Sequence, residues 1–221
     1  MLLRLITKES NIKIGFCWML TEPDDRTDGN RLDYFHQAEK YSKYDPPLYD
    51  FLNDCVMVRH SRNIHEIEKK RLLPGCTFFS EPLQDGRQER EEYSRDFKSL
   101  AKASDLLFFD TDNGVEVSIP VGRKYSSKYL YWNEIEELSS TGKSLLIFQY
   151  HRHVKYDDFL KELHSDFESK TGVTPFCYYR TSFATMILAL QDKLTPDFSR
   201  INNVIREKWQ EEFTVIMGDS L

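Results

Sequence analysis

The stretch Leu106-Leu107-Phe108-Phe109 is apolar at every position, and Leu145-Leu146-Ile147-Phe148 repeats the pattern after Ser144. A strand with one wet face alternates apolar and polar residues, because successive side chains point to opposite faces. Continuous apolar strands belong in a sheet covered on both faces, and such sheets are mostly parallel. Helical patterns separate these strands. Residues 87–103 form a charged helix with Tyr93, Phe97 and Leu100 on its thin apolar face, 131–140 a short helix, and 157–170 a helix with Phe159, Leu160, Leu163 and Phe167 at helical spacing. Gly172 stands at the expected stop of the last one.

Further strands are expected at 12–20, 55–58 and 76–79, and a hairpin at 176–179 and 183–190. Short helices are expected at 32–37, 47–53 and 64–72. Thr195-Pro196 reads as N-cap and first residue of a final helix that buries Phe198, Ile201, Ile205 and Trp209. Alternating strands and helices predict an α/β fold, three-layer and Rossmann-like, its mostly parallel sheet ending in an antiparallel edge hairpin near the C-terminus. The expectation is one domain over 1–221, since this length is enough to bury a sizeable core.

Composition narrows the function classes. Lys and Arg number 30 and Asp and Glu 36, a net charge of −6, which disfavours general nucleic-acid binding through many phosphate contacts. No apolar run approaches the roughly 20 residues that span a bilayer, and the patch Leu2, Leu3, Leu5, Ile6 is interrupted by Arg4 and too short for a secretory signal. Cys17, Cys55, Cys76 and Cys177 show no metal-binding spacing, and Cys17 and Cys177 read as core residues. A cytoplasmic, membrane-free protein is the expectation.

Ligands of open parallel sheets bind beyond the carboxyl ends of the strands. Three polar clusters follow the apolar strands: the 21–31 loop with Asp24, Asp25 and Asp28; Asp110-Thr111-Asp112-Asn113-Gly114; and Gln149-Tyr150-His151-Arg152-His153. Parallel neighbours would bring them to one rim. Asp110 and Asp112 offer hard oxygens suited to Mg²⁺ or Mn²⁺, ions held by one or two carboxylates plus substrate phosphates. The competing reading is a turn, since Asn-Gly favours one. An EF-hand is excluded, because Gly114 falls fifth from Asp110 and Val121 twelfth.

Arg123, Lys124, Lys128, Arg152 and Lys155 are candidates for a phosphate patch. His151 is the candidate proton carrier, and a metal pair of His151 with His153 is disfavoured by the cations beside it. Asn113, Gly114, Gln149 and Trp18 are candidate substrate contacts. Glu134, Glu136 and Glu137 read as an exposed helix face, and Ser126-Ser127 has no nearby base to make a nucleophile.

The order of elements from Ile12 to Leu190 resembles the class I methyltransferase fold, including the closing antiparallel strands. In that family an Asp-Pro-type motif at the end of the fourth strand faces the target. Asp110-Thr111-Asp112-Asn113 stands in the comparable place, with Thr111 for proline and no glycine-rich loop after Met19-Leu20. This resemblance implies S-adenosylmethionine as cofactor. The chain is also similar to an uncharacterised bacterial and phage family with a Trp-containing first strand, an Asp-x-Asp-Asn-Gly motif and a later Gln and His pair, here Trp18, Asp110 to Gly114, Gln149 and His151. A glycosyltransferase Asp-x-Asp motif is a weaker likeness. Three functions follow as expectations: a divalent-metal-dependent enzyme acting on a nucleotide or nucleic acid by hydrolysis or phosphoryl transfer, with Asp110, Asp112, His151 and Lys128 as its machinery; a methyltransferase-like enzyme; or a non-catalytic phage or defence-associated binding protein using Tyr41, Tyr44 and Tyr49.

Overall fold

A computed structural model describes residues 1–22 and 32–221. The chain forms two compact units, one from Met1–Asn11 with Pro23–Gly75 and one from Ile12–Glu22 with Cys76–Leu221. Among the described residues no helix is long and apolar enough to cross a membrane.

The first unit is helical: α1 (Leu2–Glu9), α2 (Ala38–Tyr41), α3 (Pro46–Asn53) and α4 (His65–Lys70). Leu2, Leu5 and Ile6 recur at helical spacing and are buried. Arg4 grips the buried Asp45, which precedes α3, through Nε and Nη2, and its Nη1 donates to the Leu72 carbonyl. A charge removed from water needs such pairing. Residues 55–58, expected as a strand, continue α3 as a π-helical turn, Asp54–Val58, closed by the Arg59 amide on the Asp54 carbonyl. A short apolar run carries no periodicity that tells strand from helix, and the helix before it already supplies hydrogen-bond partners. Tyr41, Tyr44 and Tyr49 are half-buried rather than an open aromatic patch. The Tyr49 hydroxyl donates to the Phe35 carbonyl, and Tyr41 meets Tyr34 edge-on.

The second unit is α/β. Its strands are β1 (Ile14–Cys17), β2 (Cys76–Phe79), β3 (Leu106–Phe109), the short β4 (Gly114–Val115) and β5 (Tyr129–Leu130), β6 (Ser144–Tyr150), β7 (Cys177–Arg180), β8 (Ala184–Ala189) and β9 (Thr214–Met217). Its helices are α5 (Arg87–Leu100), α6 (Trp132–Ser140), α7 (Tyr156–Thr171) and α8 (Thr195–Lys208). Seven strands form one mixed sheet in the order β2-β1-β3-β6-β8-β7-β9, while β4 and β5 pair separately. From β2 to β6 all pairs are parallel, and from β6 to β9 all are antiparallel. The expected hairpin exists as β7 and β8 but is not the edge. Strand β9, unforeseen in the sequence, pairs with β7 outside it. The first strand is shorter than the expected 12–20, because Met19 turns the chain at φ +43°.

Cys17, Phe109 and Ile147 lie level across β1, β3 and β6, and face a core completed by Phe97, Ile135, Phe159 and Phe167 of the helices. On the opposite face Tyr179 donates to Asn202 of α8 at 2.8 Å. Helical dihedrals begin at Thr195, so Leu194, ending a 3₁₀ turn, is the N-cap instead of Thr195. Gly172 closes α7 at φ +67° as expected.

Arg90 of α5 secures the loop between β4 and α6. It is 5% exposed, pairs with Glu134 through Nε and Nη2 at 2.7 Å each, and donates to the carbonyls of Ser126 and Tyr129. Glu134 is therefore a partner of a buried cation, not part of an exposed face; Glu136 and Glu137 do lie exposed. Replacing Arg90 by Met leaves Glu134 with the Tyr131 amide alone and takes the donor from two carbonyls, a cost of about 3–5 kcal/mol. The expected result is a melting temperature lowered by roughly 10 °C in thermal denaturation followed by circular dichroism, and an unchanged melt would refute this role.

Candidate functional site

The chain runs from β1 outward to β2, then returns to place β3 on the other side of β1. That reversal makes the carboxyl ends of β1 and β3 the topological switch point of the sheet, the place where open α/β sheets bind ligands. The Asp110 amide donates to the Cys17 carbonyl at 2.9 Å, extending the ladder one step past the strands. The next level of the register is therefore Trp18, Asp110 and Phe148, side by side. By strand alternation they share a face with Phe16, Phe108 and Leu146. The rings agree: Trp18 lies 4.2 Å from Phe16 and stacks on Phe78 at 6.3 Å, and Phe148 meets Tyr150 at 5.0 Å.

Asp110 thus sits between two aromatic residues, each about 4.8 Å away by strand spacing. Among the described residues its carboxyl has no hydrogen-bond partner. Burial, with a smaller push from the Asp112 charge, raises its pKa to about 7. An unpartnered carboxyl of this kind takes up and releases a proton near neutral pH.

Asp112 behaves differently. It is exposed, accepts a 2.7 Å hydrogen bond from the Thr21 hydroxyl and lies 3.4 Å from the Lys128 ammonium. The Lys128 side chain is only 10% exposed. Asp85 positions it by accepting the Tyr125 and Ser127 amides and the Ser126 hydroxyl. Burial pulls the Asp85 carboxyl upward, but these bonds outweigh it and hold its pKa below the ordinary value. Ser126 and Ser127 are thus buried loop anchors. Neither Asp85 nor Arg90 carries a sequence signal, since each is one charge among many in a polar stretch.

The Asn-Gly pair makes the turn that lets the second and third clusters meet. Gly114 has φ +98°, and a Cβ there would fall 2.2 Å from Gln149 Oε1. Gln149 is 3% exposed; its Oε1 accepts the Val115 amide at 2.8 Å, and its Nε2 donates to the carbonyls of Asn113 and Tyr150. The Thr111 hydroxyl donates to the Phe148 carbonyl, and the Asn113 amide to the Lys128 carbonyl. Thr21, 110–115 and 149 therefore come together at one rim. Asp24, Asp25 and Asp28 lie outside the described residues.

Other candidates point elsewhere. The His151 ring nitrogen Nε2 is 2.9 Å from the Thr185 hydroxyl, and the ring packs against Tyr156 of α7. Thr185 is level with Gln149 in β6, whose side chain lies on the face opposite Asp110. Burial, then the Arg180 charge, lowers the His151 pKa. His153 is exposed. Arg152 pairs with Glu162 at 2.9 Å, and Arg123 is exposed on the turn its amide closes with Pro120. Of the expected phosphate patch, Lys128 is the cation the structure brings to Asp112. Among the described residues no group of three or more His, Cys, Asp or Glu side chains is arranged to hold a metal ion.

Two variants test this geometry. Gly114→Ala forces an L side chain into left-handed backbone against Gln149 and should cost about 1–3 kcal/mol, read as a lower urea midpoint. An unfolded aspartate titrates near ~3.9, so between there and about 7 the folded chain holds one proton more than the unfolded chain. Stability falls as pH rises through that window and levels off above it. Asp110→Asn removes the penalty. It should gain on the order of 4 kcal/mol at most over wild type at pH 8 and much less at pH 5, and equal gains at both would refute the raised pKa. Comparison with protein-family models, curated proteins and solved structures finds no match to this chain, so its reading rests on the site itself.

Proposed function

We propose that the second unit, read as a three-layer Rossmann-like frame, is an enzyme acting on a nucleotide or nucleic acid by hydrolysis or phosphoryl transfer. The observation that carries this is the unpartnered Asp110 carboxyl, titrating at about 7 between Trp18 and Phe148 at the switch point of the sheet. Flat apolar walls favour a substrate with a flat ring. The buried Lys128 ammonium favours one that also bears phosphate. A phosphate-bearing substrate with a flat ring is most simply a nucleotide.

In this reading Asp110, once ionised, accepts the proton of a water or hydroxyl as that oxygen bonds to phosphorus, and the leaving oxygen departs with its bonding electron pair. Lys128 offsets the negative charge of the phosphoryl group. Asp112 holds Lys128 in the substrate-free site, and Gln149 and Gly114 fix the loop that carries Asp112. We assign the proton to Asp110 rather than His151, because the His151 ring engages Thr185 on the α7 side. Asp110 and Asp112 are the donors that Mg²⁺ or Mn²⁺ would use together with substrate phosphate. They fit such an ion poorly on their own, since Thr21 and Lys128 already engage Asp112 and Asp110 resists ionisation.

A second reading, a methyltransferase-like enzyme, is favoured by one observation. Asp110 ends the strand next to β1, and the sheet finishes with antiparallel strands. Where that reading expects a glycine-rich cofactor loop, the chain has the buried Met19.

Thermal melting with added ligands separates these readings. Thymidine 5′-monophosphate at 100 times its dissociation constant should stabilise wild type by about 2.7 kcal/mol, a rise of roughly 5–10 °C. The rise should vanish in Lys128→Ala, and Mn²⁺ alone should give none. A rise with S-adenosylmethionine and none with nucleotide would transfer the assignment to the second reading.

A further inference from the structure

Strand β9 ends the sheet on one side and bonds to β7 alone. The Gly218 amide donates to the Phe176 carbonyl at 2.9 Å. Alternation along an antiparallel ladder then makes Tyr178 with Ile216, and Arg180 with Thr214, the hydrogen-bonded pairs. The amides and carbonyls of Val215 and Met217 therefore point away from β7. Among the described residues they meet no partner.

Outer strands commonly carry a lysine, a proline or a bulge that discourages another chain from pairing with them. From Thr214 to Met217 the strand has no lysine, no proline and no charge, and its register with β7 runs unbroken. Thr214, Val215 and Ile216 are β-branched and favour extended backbone. Thr214 is exposed, and Val215, Ile216 and Met217 are part-exposed. Met217 faces α8, where its sulfur accepts from the Asn202 side-chain amide at 3.9 Å, and Ile216 packs on the core of the other face. An added strand would lengthen both faces.

We infer that β9 is a docking edge for an extended segment of another protein, apolar in the middle and basic at its ends, which pairs with Val215 and Met217 as one more strand. The basic ends follow from charge. Glu211 and Glu212 precede β9, Asp219 follows it, and no cation stands between Lys208 and Asp219. Arg206 and Lys208 lie in the last turn of α8. Arg180 is level with Thr214, but its guanidinium lies 3.8 Å over the Tyr156 ring of α7. Lysines or arginines flanking the incoming strand would meet the acids at the rim, where charge selects partners and speeds association. A second copy of this chain fits less well. Pairing β9 with itself about a twofold axis at Ile216 sets Glu212 beside Asp219 at each end, and like charges across a ladder repel. Strands β6, β8 and β7 separate this edge from β3, so its partner is independent of the Asp110 site.

The probe is a short fluorescein-labelled peptide of alternating valine and threonine with a pair of lysines at each end, compared with its counterpart ending in glutamates. In fluorescence anisotropy at low salt, wild type should bind the lysine peptide at least about tenfold tighter than the glutamate peptide. Val215→Pro removes an outward amide and leaves the β7 ladder whole, as proline on an outer strand allows. It should weaken lysine-peptide binding about tenfold or more while circular dichroism stays unchanged. Glu212→Lys with Asp219→Lys alters charge at the two ends of the strand and should reverse the preference between the peptides. Binding of neither peptide, equal binding of both, or lysine-peptide binding that survives Val215→Pro would overturn the docking edge. A wild type that sediments as a dimer, and as a monomer after Val215→Pro, would give the edge to a second copy and overturn the basic partner.

Discussion

The parallel pairing of β1 with β3 is the constraint on which the rest depends. Both strands are buried on both faces, so neither can slip by one residue without exchanging its two sets of side chains. The register that sets Cys17 level with Phe109 puts Trp18 and Asp110 each one residue beyond that pair. Because the chain reverses direction across the sheet at this pair, the carboxyl ends of the two strands form its topological switch point. Ordinary core packing thus delivers a carboxyl to a half-dry position.

Two carboxylates two residues apart acquire opposite characters there. Asp110, half-buried on the sheet face, has gained no donor, and burial raises its pKa to about 7. Asp112, past the end of the ladder, keeps its water and gains Thr21 and Lys128. Asp-x-Asp read as a metal motif treats the two as equivalent ligands. The structure separates them, because burial acts on one and hydrogen bonding on the other. The supporting shell does the same for Lys128, whose ammonium is kept in place by Asp85 and Arg90 acting on the backbone around it.

Much of this was legible in the chain. Apolar strands, helical stripes and Gly172 locate the principal elements of the second unit. The Asp110 cluster was recognisable as the polar end of a doubly buried strand, and Asn113-Gly114 as a turn. The 55–58 run was misread because a short apolar stretch looks alike in strand and helix. Strand β9 was missed because its residues are only partly buried and its partner β7 lies far away in sequence. Glu134 looked like one of three similar surface acids, and only the approach of Arg90 distinguishes it.

By itself the sequence determined which segments are strands buried on two faces, that polar loops follow them, and that Asn113-Gly114 favours a turn. Those are local properties, written in periodicity and in the steric freedom of one residue. The tertiary structure alone decided that Trp18, Asp110 and Phe148 each follow a residue of one row, that His151 turns to the other face, and that Lys128 rather than Arg123 or Arg152 reaches Asp112. Strand order and register set these outcomes, and both arise from contacts between residues far apart in the chain, which no local pattern encodes.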